Sequence, residues 1–104
     1  MIITTSETIG GKKVAKTLGL VRGNTVRARH IGRDIKSAFK NMIGGEIRDY
    51  TKLMGESREQ AIDRMAEQAK QLGANAVVSV RFATSEIMGG AAEILAYGTA
   101  VVVE

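Results

Sequence analysis

The sequence predicts an α+β fold: an antiparallel β-sheet with two helices, one of them long, packed on one face, in the order β-β-α-α-β-β. Three observations indicate it. Apolar residues alternate or are β-branched near both ends of the chain, they recur at helical spacing in the middle, and paired glycines separate these stretches. With 104 residues the chain has the length of one domain, which we expect to span residues 1–104.

The first third of the chain predicts two strands. The opening Ile2-Ile3-Thr4-Thr5 is β-branched throughout, which favours extended structure. Between residues 13 and 29 the apolar side chains fall on even positions and are expected to face the core: Val14, Leu18, Leu20, Val26 and Ala28. A two-residue turn at Gly23-Asn24 would place arginines opposite leucines on that side. We therefore favour one long strand, bulged or bent at Gly23, with a three-residue hairpin loop as the alternative.

The middle of the chain predicts two helices. Asp34 can cap the first, whose apolar residues have helical spacing: Ile35, Ala38, Phe39, Met42 and Ile43. Gly44-Gly45 ends it, and the second helix follows over residues 46–72, up to Gly73. Unbroken, the second helix would be about 40 Å long at about 1.5 Å per residue. Gly55, with Ser57 as a possible cap for a restarted helix, leaves a kink as the alternative.

The last third predicts two more strands. In the next segment one face carries Ala76, Val78, Val80 and Phe82, and the other carries Ser79 and Arg81. The closing segment, residues 94–103, is apolar on both faces. Because helices on one side cover only one face of a small antiparallel sheet, we expect the second apolar face to meet another subunit. A central strand buried within a monomer is the alternative.

The charge pattern argues against a nucleic-acid partner. The chain carries 15 Lys and Arg against 11 Asp and Glu, a net charge of +4, and residues 8–33 contain no acidic side chain. Proteins that bind single strands interleave such basic residues with aromatic ones, on which the bases stack. The four aromatic residues all lie outside the basic run: Phe39, Tyr50, Phe82 and Tyr97. We therefore predict that the basic run is a strand with one side exposed to solvent.

Several chemistries lack the residues they need. The absence of cysteine excludes disulfides, thiolate nucleophiles and Cys-ligated zinc or iron–sulfur centres. A Ser-His-Asp constellation would depend on His30, and no serine lies in a nucleophile-elbow sequence. We therefore expect no enzymatic activity. The N-terminus has no signal-peptide pattern, and no apolar run reaches about 18 residues, so we expect a cytoplasmic protein without a membrane partner.

The most promising ligand site in the sequence is basic. Arg27, Arg29, His30 and Arg33 surround the end of the long strand and the start of the Asp34 helix. Free backbone amides and the helix dipole favour negative charge at such a place, so these residues predict a site for a small anion. The alternative is that His30 packs and hydrogen-bonds without a ligand. A second candidate is a carboxylate pair, because Glu86 and Glu93 flank Gly89-Gly90 and would approach each other across a hairpin, where they could share a proton. The alternative is that both are solvated surface charges.

Four motifs together resemble the YbjQ family, small bacterial and archaeal proteins of unknown function that are catalogued as heavy-metal-binding. The motifs are Gly32-Arg33-Asp34, Ile43-Gly44-Gly45, Leu72-Gly73-Ala74-Asn75-Ala76-Val77-Val78 and Gly98-Thr99-Ala100-Val101-Val102. The resemblance covers nearly the whole chain. It implies a dodecin-like subunit fold assembled as a ring, a homopentamer.

The heavy-metal label fits these residues poorly. Soft metals prefer thiolates or imidazoles, and the chain has no cysteine and one histidine, His30. Symmetry could gather several copies of His30, but Arg29 and Arg33 would come with them and repel a cation. We expect neither a metal nor another cofactor. The prediction is a self-assembling protein that binds a small anion or a protein, and the alternative is a metal- or small-molecule carrier with pockets between subunits.

Overall fold

The structure, a computed structural model, describes residues 1–28, 45–86 and 91–104. These residues form one four-stranded sheet in the order β1-β3-β4-β2, and one helix. The elements are β1 (Ile2–Ile3), β2 (Val14–Ala28), α1 (Gly45–Gln71), β3 (Ala76–Glu86) and β4 (Ala91–Val103). β1 runs parallel to β3, and the other neighbouring strands are antiparallel.

The predicted fold class is therefore wrong in its sheet and its element order. The prediction was an antiparallel sheet with two helices in the order β-β-α-α-β-β, but the described residues form a mixed sheet with one helix. The cause is the position of β1, which pairs with β3: the Thr4 N–H donates to the Val77 carbonyl at 3.0 Å. Residues 4–13 then lead to the opposite edge, where β2 pairs with β4. The helix predicted after Asp34 lies outside the described residues.

The prediction of one long strand is confirmed. β2 pairs continuously with β4 from Val14 to Ala28, so the chain makes no hairpin at Gly23-Asn24. The irregularities lie earlier than Gly23, because the pairing register shifts between Val14 and Lys16 and again between Thr17 and Gly19.

These shifts overturn the predicted core face of β2. An extra residue at a bulge turns the following side chains to the opposite side of the sheet. Leu18 accordingly packs against the core beneath the helix, whereas Leu20 and Val26 are 65% and 56% exposed. The buried positions of the second half of the strand are Val21 and Thr25 instead.

The long helix is continuous. α1 runs through Gly55 without a break, and the Ser57 hydroxyl donates to the Leu53 carbonyl at 2.9 Å, one turn earlier, so Ser57 does not cap a second helix. The helix ends where the sequence predicts. Gly73 has φ 87°, and its N–H donates to the Lys70 carbonyl at 2.9 Å. A left-handed residue after the last turn is the usual glycine-terminated helix end.

α1 packs on one side of the sheet, mainly across β2 and β4. The approach is closest at Gly23, where a Cβ atom would overlap the Ala61 carbonyl oxygen and the Met65 nitrogen. Two residues further along the strand, the buried Thr25 hydroxyl donates to the Ser57 carbonyl at 3.2 Å. The main chain of the helix therefore rests directly on β2. The buried residues of this core are Val21, Ala61, Met65, Ala69, Val77, Val80, Ile94, Ala96 and Ala100.

A second apolar cluster lies on the other side of the sheet and consists of Ala76, Val78, Val101 and Val103. Ile9, from the segment between β1 and β2, packs against it. β4 is thus apolar on both sides as predicted, but near its C-terminus the second side is covered by the same chain, which agrees with the alternative of a strand buried within one chain. β3 is not one-sided as predicted, because a bulge at Ser79, with φ 55°, places Val78 and Val80 on opposite sides.

Asn75 closes the C-terminal end of the sheet by completing the hydrogen bonds of Val103. Its Nδ2 donates to the Val103 carbonyl at 2.9 Å, and the Val103 N–H donates to its Oδ1 at 2.8 Å. We expect Asn75→Ala to lower the free energy of unfolding by about 1–3 kcal/mol, because both backbone groups lose a partner. Urea denaturation followed by circular dichroism measures this change. Asn75→Asp keeps the acceptor only, so its free energy of unfolding is expected to lie between those of the wild type and Asn75→Ala. A loss below about 0.5 kcal/mol for Asn75→Ala would contradict the role assigned to Asn75.

Candidate functional site

Of the four residues predicted to bind an anion, the structure describes only Arg27. Arg29, His30 and Arg33 lie outside the described residues. The Arg27 side chain reaches α1, where its Nη2 donates to Gln60 Oε1 at 2.7 Å. Its Nε is buried without a hydrogen-bond partner among the described residues. The prediction that the four residues form one site therefore stays a prediction.

Arg27 lies in a groove of about 650 Å³ between the end of β2 and α1. The groove is lined by Arg27, Lys52, Gly55, Glu56, Arg58, Glu59, Gln60 and Asp63. Three of these side chains are basic and three are acidic, so their formal charges cancel. A groove without an excess of positive charge gives a small anion no general electrostatic preference.

The residues present do not fit a heavy-metal ion. The chain has no cysteine and a single histidine. In the part of the chain that the structure describes, no group of three or more His, Asp or Glu side chains could hold a metal ion. Soft metals prefer thiolate and imidazole donors, and the described residues include neither a cysteine nor a histidine.

The predicted carboxylate pair does not form. Glu93 pairs with Ser85 in the register between β3 and β4, whereas Glu86 pairs with Ala92. Neighbouring residues of a strand point to opposite sides of the sheet, so Glu86 and Glu93 lie on different sides and cannot share a proton.

The most distinctive surface lies on the side of the sheet opposite α1, beyond the cluster that Ile9 covers. We call it the open face. Its members, from the strand registers, are Leu20, Arg22, Asn24 and Val26 of β2, Arg81, Ala83 and Ser85 of β3, and Glu93, Leu95 and Tyr97 of β4. They form three cross-strand rows, centred on Tyr97, Leu95 and Glu93. Leu20 lies beside the first row.

The open face exposes large apolar side chains. Leu20, Val26 and Tyr97 are 65%, 56% and 36% exposed, while Leu95 is half-buried. Arg22 and Arg81 both lie opposite Tyr97, one on each side. Tyrosine and arginine among aliphatic residues are typical of the central part of protein–protein interfaces.

The charges of the open face are segregated. Arg22 and Arg81 flank the Tyr97 row, and Glu93 is the acidic member of the set. Asn24 orients Glu93, because its Nδ2 donates to Glu93 Oε2 at 3.0 Å, and Ser85 Oγ lies 3.5 Å from Glu93 Oε1. Arg81 Nη1 donates to the Thr5 carbonyl at 2.9 Å, which draws Arg81 towards β1. Arg22 is also exposed and is therefore the candidate partner for an outside group.

Helix side chains occupy the middle of the free edge of β2. The Arg22 N–H donates to Gln68 Oε1 at 2.7 Å, and Arg64 Nη1 donates to the Asn24 carbonyl at 2.6 Å. An added strand could therefore use the Arg22 N–H and the Asn24 carbonyl only by displacing a helix side chain. Protection of this kind is a common feature of edge strands.

Analysis of the sequence missed the open face for two reasons. Leu20 and Val26 were assigned to the core, because the bulges of β2 leave no clear mark in a pattern of period two. The grouping of Arg22, Tyr97 and Arg81 comes from three strands that are distant in sequence. The available signal was the surplus of apolar residues on β2 and β4, which exceeds what one helix can cover.

The fold and this surface define a class of small α+β proteins in which a helix covers one side of a mixed sheet and apolar side chains are exposed on the other. In the described residues no helix has the length and apolar character needed to span a membrane. The chain belongs to the YbjQ family, whose model, described as "Putative heavy-metal-binding", matches residues 1–104. The resemblance predicted from the motifs is confirmed.

Relatives from bacteria and archaea are close in sequence and length. A UPF0145 protein of Hahella chejuensis is 57% identical over 104 residues, which covers 100% of both chains. A UPF0145 protein of Methanosarcina acetivorans is 57% identical over 101 residues, covering 97% of this chain and 95% of its own. Neither name states an activity.

A solved structure supports the fold. The crystal structure of a protein of unknown function of the DUF74 family, from Pediococcus pentosaceus, matches with a TM-score of 0.66. The match covers 100% of this chain and 98% of that one, at 16% sequence identity. The similarity is therefore one of fold. The dodecin-like subunit that the family resemblance implies stays a prediction.

Proposed function

We propose that the protein is a non-enzymatic binding protein that associates with itself through the open face. The observation that carries the proposal is the exposure of Leu20, Val26 and Tyr97 on one continuous side of the sheet. Transfer of a large apolar side chain from water to a packed interface is favourable by about 1.5–3 kcal/mol. A second copy of the chain is always available as a partner, because its concentration is that of the protein itself.

The residues available for chemistry agree with a binding role. The chain has one histidine and no cysteine, so imidazole bases and thiolate nucleophiles are scarce. We further propose that the protein acts in the cytoplasm. A small anion bound by Arg27 with Arg29, His30 and Arg33 is the second candidate function, and the observation that favours it is the buried Arg27 Nε, which has no hydrogen-bond partner among the described residues. A metal carrier is not favoured, because the donor set does not fit.

The test is the mass of the protein in solution. Size-exclusion chromatography with light scattering is expected to give a mass that is a multiple of the single-chain mass, 11.1 kDa. The family resemblance implies a multiple of five. Replacing both Leu20 and Val26 with serine is expected to shift the assembly towards smaller species, with an apparent Kd at least tenfold higher, because the apolar part of the contact is lost.

Leu72→Ser is the matched control. Leu72 is 48% exposed but lies at the end of the helix, away from the open face, so its replacement is expected to leave the mass unchanged. A wild-type protein that stays at the mass of one chain at millimolar concentration would refute self-association. Equal effects of Leu72→Ser and of the Leu20 and Val26 double variant would show that self-association does not depend on the open face.

A further inference from the structure

We infer that the outer edge of β3, the side away from β4, binds an extended peptide segment of another protein as an added strand. The peptide pairs with Phe82, Thr84 and Glu86, and it carries an apolar residue beside Phe82 and a basic residue beside Glu86. This site is separate from the open face, so the inference does not rest on the proposed self-association.

The first half of the outer edge of β3 is covered by the start of the chain. The Val80 N–H donates to the Thr4 carbonyl at 3.1 Å, and Arg81 Nη1 donates to the Thr5 carbonyl at 2.9 Å. Beyond this point no strand of the described residues lies beside β3 on its outer side. Residues 81–86 are all exposed.

The strand registers show where the backbone groups of this stretch point. The Arg22 N–H donates to Gln68 of the helix, so the backbone groups of Arg22 point away from β4. In an antiparallel pair both residues then point away from each other, so Tyr97, opposite Arg22, directs its groups towards β3. There Tyr97 is opposite Arg81, and the two residues form a hydrogen-bonded pair.

After Arg81, every second residue of β3 points its N–H and C=O groups away from β4. These residues are Phe82, Thr84 and Glu86, and among the described residues their outward groups have no hydrogen-bond partner. The register with β4 is unbroken from Arg81 to Glu86. The three positions therefore keep regular strand spacing and span about 14 Å, at about 3.4 Å per residue.

The other edge of the sheet is protected, and this one is not. The edge of β2 contains two register shifts, and helix side chains bind its backbone at Arg22 and Asn24. Bulges, lysine and proline are the usual features that prevent strand addition. Residues 81–86 contain none of them. The uncovered part of β3 is therefore a template for an added strand, a recurring mode of peptide recognition.

The side chains of this edge specify the chemistry of the peptide. Phe82, Thr84 and Glu86 lie on the α1 side of the sheet, because they alternate with residues of the open face. α1 packs mainly across β2 and β4, and Phe82 is 46% exposed. Directly opposite residues of neighbouring strands interact, so an apolar residue is favoured beside Phe82 and lysine or arginine beside Glu86.

A second copy of the chain fits this edge less well than such a peptide. Two β3 edges paired antiparallel about Thr84 would place each Glu86 beside Phe82 of the partner subunit, so neither carboxylate would meet a cation. A peptide that runs antiparallel to β3, with its basic residue four positions before its apolar residue, complements both side chains.

The test uses a terminally blocked peptide of seven residues, with lysine second, threonine fourth, valine sixth and serine elsewhere. We expect fluorescence anisotropy of the labelled peptide to give a Kd below about 1 mM with the wild-type protein. Methylation of the backbone nitrogen of the fourth residue, which faces β3, is expected to raise the Kd at least tenfold. The matched control is methylation at the fifth residue, whose N–H faces solvent, and it is expected to change the Kd less than twofold.

Variants of the protein test the same contacts. Thr84→Pro removes an N–H that points away from β4, so we expect the fold to be kept and the Kd to rise at least tenfold. Thr84→Val keeps this N–H and is expected to bind as the wild type does. Glu86→Lys is expected to reverse the charge preference, so that a peptide with glutamate in place of lysine binds at least threefold more tightly than the original.

Three outcomes would overturn the inference. One is equal affinity of the two N-methylated peptides, a comparison that does not depend on whether a variant folds. Another is unchanged binding by a folded Thr84→Pro protein. The third is a fall in the mass of the protein in solution on Thr84→Pro, which would show that the edge pairs with a second copy. The mass of the wild-type protein tests the proposed self-association alone.

Discussion

Replacing Gly23 with alanine is expected to lower the free energy of unfolding by about 3 kcal/mol or more. The new methyl group would overlap the Ala61 carbonyl oxygen and the Met65 nitrogen, and would lie 2.8 Å from the Arg64 carbonyl carbon. These are main-chain atoms of α1, which cannot rotate away as a side chain can, so the helix must move off the sheet. Overpacking of a core typically costs about 1–3 kcal/mol, and rigid neighbours place this case at the upper end or beyond. Urea denaturation followed by circular dichroism measures the change.

Gly10→Ala is the control for this prediction. No atom lies within 4 Å of the position that a Cβ would take at Gly10, so the substitution tests the entropy of losing a glycine without any clash. We expect its free energy of unfolding to stay within about 1 kcal/mol of the wild type. Equal unfolding midpoints for Gly10→Ala and Gly23→Ala would contradict direct contact between the helix backbone and β2.

Met65→Ala is expected to lower the free energy of unfolding by about 2–5 kcal/mol. Met65 is completely buried in the core between α1 and the sheet, and its truncation removes apolar contacts and leaves a cavity. Differential scanning calorimetry measures the accompanying fall in Tm. The cavity term makes the loss larger than the transfer energy of the removed atoms alone.

Met54→Ala provides the comparison on the same helix. Met54 packs against the same core but is only half-buried, so the protein can relax and water can reach the site. We expect a loss of less than half that of Met65→Ala. A larger loss at Met54 would show that the centre of the core lies nearer the start of α1 than the structure places it.

Local signals in the sequence predicted the helix and the long strand well. Gly73 ends α1 because a left-handed turn is a property of a few adjacent residues, and the apolar spacing of the helix predicts its length. The same reasoning left a kink open at Gly55, where the helix continues. The cost of one glycine, about 1 kcal/mol, is small beside the packing of a helix of this length on the sheet.

The sheet could not be derived in the same way, because its partners are distant in sequence. Nothing local to Ile2-Ile3 indicates a parallel pairing with β3, more than seventy residues away. The bulge before Gly19 shifts the register by one residue, and a single residue exchanges the two sides of a strand. For this reason Leu20 and Val26, predicted to be core residues, are the exposed residues on which the proposed function depends.

The candidate site was predicted only in part. Basic residues near the end of β2 were singled out, and Arg27 does lie at a groove, but three carboxylates share that groove. The open face was foreseen only as a surplus of apolar surface on the closing strand. Its location and its rows of charge depend on three strand registers at once, and a single sequence does not determine those registers.

The hydrogen bonds from Gln68 and Arg64 to the free edge of β2 have a consequence for growth. A strand that adds to a bare edge creates a new bare edge, so addition can repeat without limit and produce fibres. At the β2 edge an added strand would first have to displace the side chains of Gln68 and Arg64. A contact made through the open face uses none of the edge backbone groups, so it leaves the protection of the β2 edge in place.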